Sequence, residues 1–537
     1  MGFATLLSSI GASVATVFVL YCAALFGYRI LLHPLRSYPG PFLAKLSDSY
    51  AGFYALTWRL HLVTRRDHLK YGPVMRYGPN RLVFNSAAAF RGWPMPMHSE
   101  RVTKSEVYRV TQQLENVYNV FNVRDRAEHR LKRKLIGRAV TEQSMRSFEP
   151  TMTAQIEIFL RQVLQAAQAR TTSERMVNMT QPFKYLGYDI VGHLAFGYPL
   201  KLQTDDSNRF VVKANAYGNF RLNMYMQWPL LRHLRIESVL DLLPNGLRVR
   251  LFNLIETMIK ARLAQDKDAR RDLFFYAADD FREGNDGLRL GNLWTEAIFF
   301  LPAGGDTTST ALASLFFYLS RNPVCYAKLC DEIRTTFRSG ADIRGGPQLA
   351  GCSYLRACID EALRMSPPVP GTLWRQLAYD DPHTEPWVVD GHVIPSGTEV
   401  GVNIYALHHN EEYFPDPFSF KPERWLAAND DRGGESGKAG IHNAFAAFSA
   451  GPRGCAGKAM AYLEASLVTA RTLWYFDFEA APGRADGKGA RTRGRTDGHG
   501  SEGEFRLYDV FISIHNGPHL AFRTRGDYYR ELTGGEL

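Results

Sequence analysis

The segment Phe448-Ser449-Ala450-Gly451-Pro452-Arg453-Gly454-Cys455-Ala456-Gly457 sets a cysteine among Gly and Pro, just before a stretch from Lys458 that reads as a helix. A cysteine so placed sits on a tight loop, its sulfur near free backbone N–H groups at the positive end of the helix, which favours thiolate over thiol. Gly451 and Gly457 remove side chains where a flat cofactor would approach the backbone, and Arg453 offers a cation to a carboxylate. Alone, a cysteine in a Gly-rich loop is usually just a buried thiol. A second group, Ala303-Gly304-Gly305-Asp306-Thr307-Thr308, lies within the apolar stretch Leu293 to Tyr318. Gly-Gly with Asp and Thr suits a helix interior poorly, and Pro302 cannot donate to the carbonyl of Ile298. The plain reading is a kink; the functional one is a helix opened deliberately at a site of chemistry. In Glu361-Ala362-Leu363-Arg364 the spacing puts both charges on one helix face. By itself that describes many exposed salt bridges.

Elements must hold these residues in place. Helical periodicity predicts helices near 143–170, 245–266, 293–320, 347–365 and 458–474. Strand-like runs are short: Val74 to Tyr77, Arg81 to Phe84, and the pair Trp387 to Val389 and His392 to Ile394 around the turn Asp390-Gly391. Alternation between Phe505 and Phe522 suggests one more small sheet. The fold class is therefore mainly α with small β-sheets, in one domain without repeats. Ala427 to Gly440 and Gly483 to Glu504, rich in Gly and charge, read as mobile surface loops. The 33 Phe, 26 Tyr and 8 Trp supply enough bulk to enclose a cofactor.

From Gly2 to Tyr28 there is no charged side chain, which is long enough for a membrane-spanning helix. No Lys or Arg precedes it, while Arg29, His33 and Arg36 follow. This favours an uncleaved anchor over residues 1–28, with 29–537 on the cytoplasmic side, where the sequon Asn178-Met179-Thr180 goes unused. The net charge of +10 is dispersed and carries no nucleic-acid motif, and Arg491, Arg493 and Arg495 belong to a solvated loop. Such a surface suits solvent, an acidic protein partner or anionic lipid. The six cysteines include no Cys-x-x-Cys pair, so Cys22, Cys325, Cys330, Cys352 and Cys358 are expected as free thiols.

The full spacing F-x-x-G-x-R-x-C-x-G resembles the haem-binding loop of the cytochrome P-450 monooxygenases. Three further segments resemble the family in the same order along the chain: A-G-G-D-T-T at 303–308, E-A-L-R at 361–364, and Pro422-Glu423-Arg424-Trp425. The resemblance runs from the anchor to about residue 525, and the phrases around 33–48, 71–82 and 401–425 look most like membrane-bound fungal members. It implies the family's fold, with haem b between the Thr307 helix and a loop where Cys455 is the axial iron ligand, flanked by Phe448, Arg453 and Gly457. Thiolate ligation favours O–O cleavage. Asp306 and Thr307 then become the acid and alcohol that manage proton delivery to dioxygen. Glu361, Arg364 and Arg424 become a buried cluster supporting the haem loop. Arg375, His129 and Arg133 become propionate contacts, His129 standing where a Trp is usual. His408 and His409 fall in a family segment and are expected as packing residues. The implied activity is oxygenation of a lipophilic small molecule, lined by the 93–118 loop, the 205–235 region, Phe299, Phe300, Ala303, and Val369 to Leu373. Electrons would come from NADPH through a separate reductase, since no G-x-G-x-x-G follows a strand here. Fungal members of this appearance act in secondary metabolism, which implies an endoplasmic reticulum membrane protein facing the cytosol. Two alternatives stay open, a haem-thiolate isomerase or dehydratase and a non-catalytic haem sensor.

Overall fold

The computed structural model describes residues 2–92, 97, 99–234, 246–265, 286–381, 383–426, 438–482 and 503–534. The uncharged N-terminal run forms a helix, α1 (Gly2–Leu31), that stops just ahead of His33-Pro34, because the residue before a proline disfavours the helical region. Its apolar part, Ser8–Leu31, is long and apolar enough to cross a membrane and is largely exposed, meeting the body at its end, where the Arg29 carbonyl accepts from the buried Arg76 at 2.8 Å. The helix outlasts the anchor expected to end at residue 28 and carries Arg29 in its last turn.

The body is built on α2 (Arg126–Ala139), α3 (Glu142–Ala167), α4 (Thr180–Phe196), α5 (Phe210–Gln227), α6 (Asp286–Leu319), α7 (Ser353–Met365) and α8 (Lys458–Tyr475). Local chemistry fixes several ends. The Asp125 carboxylate accepts the Glu128 N–H at the start of α2, and Thr141 caps α3 through the Ser144 N–H. Gly197, at φ 57°, closes α4. α6 runs through the centre, with α4 against one side and α7 and α8 against the other. Met152, Phe159, Phe183, Leu312, Phe316, Leu355 and Leu467 fill the space between these helices.

A five-stranded sheet lies beside the helices. Its strands β1 (Val74–Gly78), β2 (Arg81–Phe84), β3 (Val102–Lys104), β5 (Arg375–Leu377) and β8 (Glu399–Val402) are ordered β1-β2-β8-β5-β3, with only the β2–β8 pair parallel. A second sheet joins β4 (Met176–Asn178), β10 (His519–Thr524) and β9 (Phe476–Ala480). The strands β6 (Trp387–Val389) and β7 (His392–Ile394) form the expected hairpin, with Asp390 and Gly391 both at positive φ, as a tight two-residue turn requires.

Three expectations need correction. The helix read over 347–365 breaks into Pro347–Ala350 and α7. The strand pattern over 505–522 yields only β10 and an isolated Tyr508–Ile514 bridge, because β10 takes its partners from far along the chain. The loop read over 427–440 ends in a helix, Lys438–Ala444; its earlier part, and nearly all of 483–504 with Arg491, Arg493 and Arg495, lie outside the described residues.

Candidate active site

Cys455 stands on a loop closed by its own backbone: its N–H donates to the Phe448 carbonyl at 2.8 Å. Ser449 and Gly451 take left-handed conformations inside that loop, and Gly457 leads directly into α8. The thiol opens onto a cavity of about 330 Å³. Burial pushes the thiol pKa up; the Gly457 N–H, Arg133 and Lys458 pull it down without prevailing. The Gly457 N–H at the start of α8 thus acts in the direction expected of a helix end, against the effect of burial.

Across the cavity runs α6. Thr307 lines it, its hydroxyl donating to the Ala303 carbonyl at 2.6 Å. Asp306 points elsewhere, since neighbouring residues on a helix are about 100° apart. Its carboxylate is buried against α4, where Lys184 Nζ (3.1 Å) and the Tyr188 hydroxyl (2.9 Å) donate to its two oxygens. The acid and the alcohol thus point to different faces of one helix, only the alcohol reaching the cavity. The glycines also differ from expectation. α6 is continuous through Pro302, and a Cβ on Gly305 would lie 2.5 Å from the Tyr188 ring, while one on Gly304 would lie 2.7 Å from Val191. Their smallness serves a close crossing with α4.

One rim of the cavity is cationic. Lys104, His129, Arg133, Arg375 and Arg453 all line it, and among the described residues none has a carboxylate partner at ion-pair distance. Arg453 donates to the Val123 (2.6 Å) and Arg124 (3.1 Å) carbonyls, and Arg375 to that of Trp374 (3.0 Å). Lys104 donates to the Phe121 carbonyl and sits directly opposite Arg375 across the β3–β5 ladder. Like charges so placed repel. Burial, with Arg375 and Arg453 adding to it, pushes the Lys104 pKa far down. Burial first, then neighbouring cations, bring His129 to about 3 and Arg453 to about 10. The rim gathers cationic side chains of a kind that bind carboxylates. Arg375, Arg453, His129 and Arg133 were expected here from sequence; Lys104 was not, because a strand pairing delivers it.

Behind the loop, Glu361 is fully buried and its carboxylate accepts from Arg364 (2.9 and 3.0 Å), Arg424 (3.0 Å), the Trp425 indole (3.0 Å) and the Lys421 N–H (3.0 Å). Burial would raise its pKa, but the two guanidinium groups outweigh that and hold it below the usual range. His408 links this cluster to the loop, with Nδ1 donating to Arg364 O and Nε2 accepting the Ala446 N–H. It and His409 are buried packing residues, and no cluster of metal ligands exists among the described residues.

The remaining wall is apolar: Phe121 stacked on Phe299, with Phe300, Ala303, Val369 and Leu373 as expected. Val191, Leu194, Phe511 and Ile512 were not expected. Among the described residues none from 205–234 lines this cavity, and 93–96, 98 and 235 lie outside them.

A thiol facing a helix hydroxyl across an apolar cavity with a cationic rim defines a haem-thiolate type of enzyme. A sequence model of the cytochrome P-450 family matches residues 57–492. The chain is 33% identical over 507 residues to cytochrome P-450 monooxygenase AKT7 of Alternaria alternata, covering 94% of this chain and 95% of that one. It is 34% identical over 518 residues to the monooxygenase poxM of Penicillium oxalicum, covering 96% and 95%. It is 32% identical over 532 residues to apf7 of Gibberella fujikuroi, covering 95% and 97%. The chain belongs to the cytochrome P-450 family and is a monooxygenase of that family, which works with haem, dioxygen and electrons from a redox partner. The residues present fit haem: a free sulfur, unpaired cations for two carboxylates, and open space within 4 Å of a Cβ built on Gly457.

Proposed function

We propose that this chain hydroxylates or otherwise oxidises a lipophilic small molecule in fungal secondary metabolism, using haem b and electrons passed from NADPH through a separate reductase. The observation that carries the reading is the cavity, with Cys455 at one wall, Thr307 at the other, a cationic rim and otherwise apolar lining. Cys455 would hold the iron, and Lys104, Arg133, Arg375 and Arg453, with His129, would hold the propionates. Bound haem supplies dioxygen activation, which a thiolate ligand promotes by favouring O–O cleavage. Thr307 presents a hydroxyl at the cavity for proton delivery, while the Asp306 carboxylate faces α4, so that any proton it supplies must pass by way of Lys184 and Tyr188. The stacked Phe121 and Phe299 keep water out and set the apolar character of the substrate.

Residues 1–28 act as the anchor and 29–537 as the catalytic body. The basic residues after the span support an endoplasmic reticulum protein facing the cytosol. Exposed Arg126, Arg130, Lys134 and Arg138 on α2, with Lys458 beside the Cys455 loop, suit an acidic reductase face.

The test is incubation of the membrane-bound chain with reductase, NADPH, isotope-labelled dioxygen and a panel of lipophilic polyketides, terpenoids and alkaloids chosen by haem spectral shift. Incorporation of one labelled atom supports the reading. A rearranged or dehydrated product without label would point to the isomerase alternative, and no shift with any compound to a sensor.

A further inference from the structure

We propose that Asn223 and Asp509, which do not line the cavity, form a latch that fixes Phe511 within it and so set the size of substrate that the site accepts. This rests on reading the cavity as the haem and substrate site. Phe511 and Ile512 are at the tip of a turn whose stem is the Tyr508–Ile514 bridge. The stem is fixed by backbone bonds: Asp509 N–H to Trp58 O at 2.9 Å, and Ser513 N–H to Pro368 O at 2.8 Å. The tip is held differently. Phe511 adopts φ 84°, a region that side chains other than Gly occupy only under strain, so the surroundings must impose it.

The Asp509 carboxylate does so. Its Oδ1 accepts the Phe511 N–H at 3.1 Å, and the same oxygen accepts Asn223 Nδ2 at 3.2 Å. Asn223 also donates to the Asp509 carbonyl at 3.3 Å. Its other carboxylate oxygen faces His61 Nδ1 at 3.9 Å and the bare Cα of Gly371, where a Cβ would stand 3.7 Å away. His61, Asn223 and Asp509 are each at least 97% buried. A shared oxygen that orients a strained turn from outside the cavity makes Asn223 a positioning residue for Phe511. The Phe511 ring in turn meets Phe121 edge-on at 5.4 Å, and Phe121 stacks on Phe299 at 5.3 Å. Releasing the tip therefore loosens the aromatic wall.

The experiment uses the haem-loaded full chain and two probes that bind iron through a ring nitrogen, imidazole and phenylimidazole, read by the Soret shift. Only phenylimidazole carries a ring large enough to meet the aromatic wall. Asn223→Ala is expected to weaken phenylimidazole by about fivefold, as Phe511→Ala does, with imidazole changed by less than about twofold and no further loss in the double variant. Asp509→Asn, which keeps the Oδ1 acceptor, should stay near wild type where Asp509→Ala does not. Unchanged phenylimidazole binding in Asn223→Ala, additive losses in the double variant, or Asp509→Asn matching Asp509→Ala would overturn the latch. If Asn223→Ala fails to load haem, the Asp509 pair decides alone. A wild-type chain without a Soret band would instead contradict the site reading itself.

Discussion

Lys104 and Arg375 face one another across adjacent strands with no acid between them, an arrangement that costs stability until an anion arrives. Lys104→Leu should therefore melt at higher temperature than wild type without haem, yet retain haem several times less well. The ratio of Soret to protein absorbance after gel filtration, with apo-protein melting curves, checks both halves. Wild-type retention would show that Lys104 does not contact the cofactor. Cys455, Arg453 and Thr307 were legible in sequence because each belongs to a short motif whose spacing is itself the signal. Lys104 was not, since its place depends on a strand pairing with residues about 270 positions away.

Within α6 and α7, small changes have large expected effects. Gly305→Ala would put a methyl 2.5 Å from the Tyr188 ring and should destabilise the protein by about 1–3 kcal/mol through overpacking, lowering its thermal midpoint. A midpoint equal to wild type would show that the α4–α6 crossing has slack. The Gly-Gly pair was readable as unusual but not as a crossing contact, because Gly187, Tyr188 and Val191 announce nothing in the sequence. Glu361→Gln leaves Arg364 and Arg424 without their counter-charge and should cost about 3–5 kcal/mol in denaturant unfolding, with loss of haem loading. Because the folded-state pKa of Glu361 lies below its unfolded value, that stabilisation is full above the ordinary glutamate range and is lost progressively as pH falls from there through the lowered folded value. Denaturation midpoints that stay flat across this window would argue against a paired Glu361. The E-x-x-R spacing alone could not distinguish this cluster from a surface pair; burial does.

For the whole molecule, helical predominance, the β6–β7 hairpin and the apolar N-terminal helix were legible because each follows from local periodicity or turn chemistry. Of the two larger sheets, β1 and β2 and the stretch holding β10 were legible as strands, while β3, β4, β5, β8 and β9 were not, since such short strands gain their identity from distant partners. The surplus of basic side chains on α2 predicts a reductase affinity that falls steeply with added salt, measurable by titration at rising ionic strength. A flat response would place the docking face elsewhere. The central claim, that Cys455 holds a haem iron at this cavity, is tested most directly by the absorption spectrum of the dithionite-reduced chain with and without carbon monoxide. The account predicts a strongly red-shifted Soret band for the carbon monoxide complex, lost in Cys455→Ser. A band at the position given by histidine ligation, or one that survives Cys455→Ser, would contradict it.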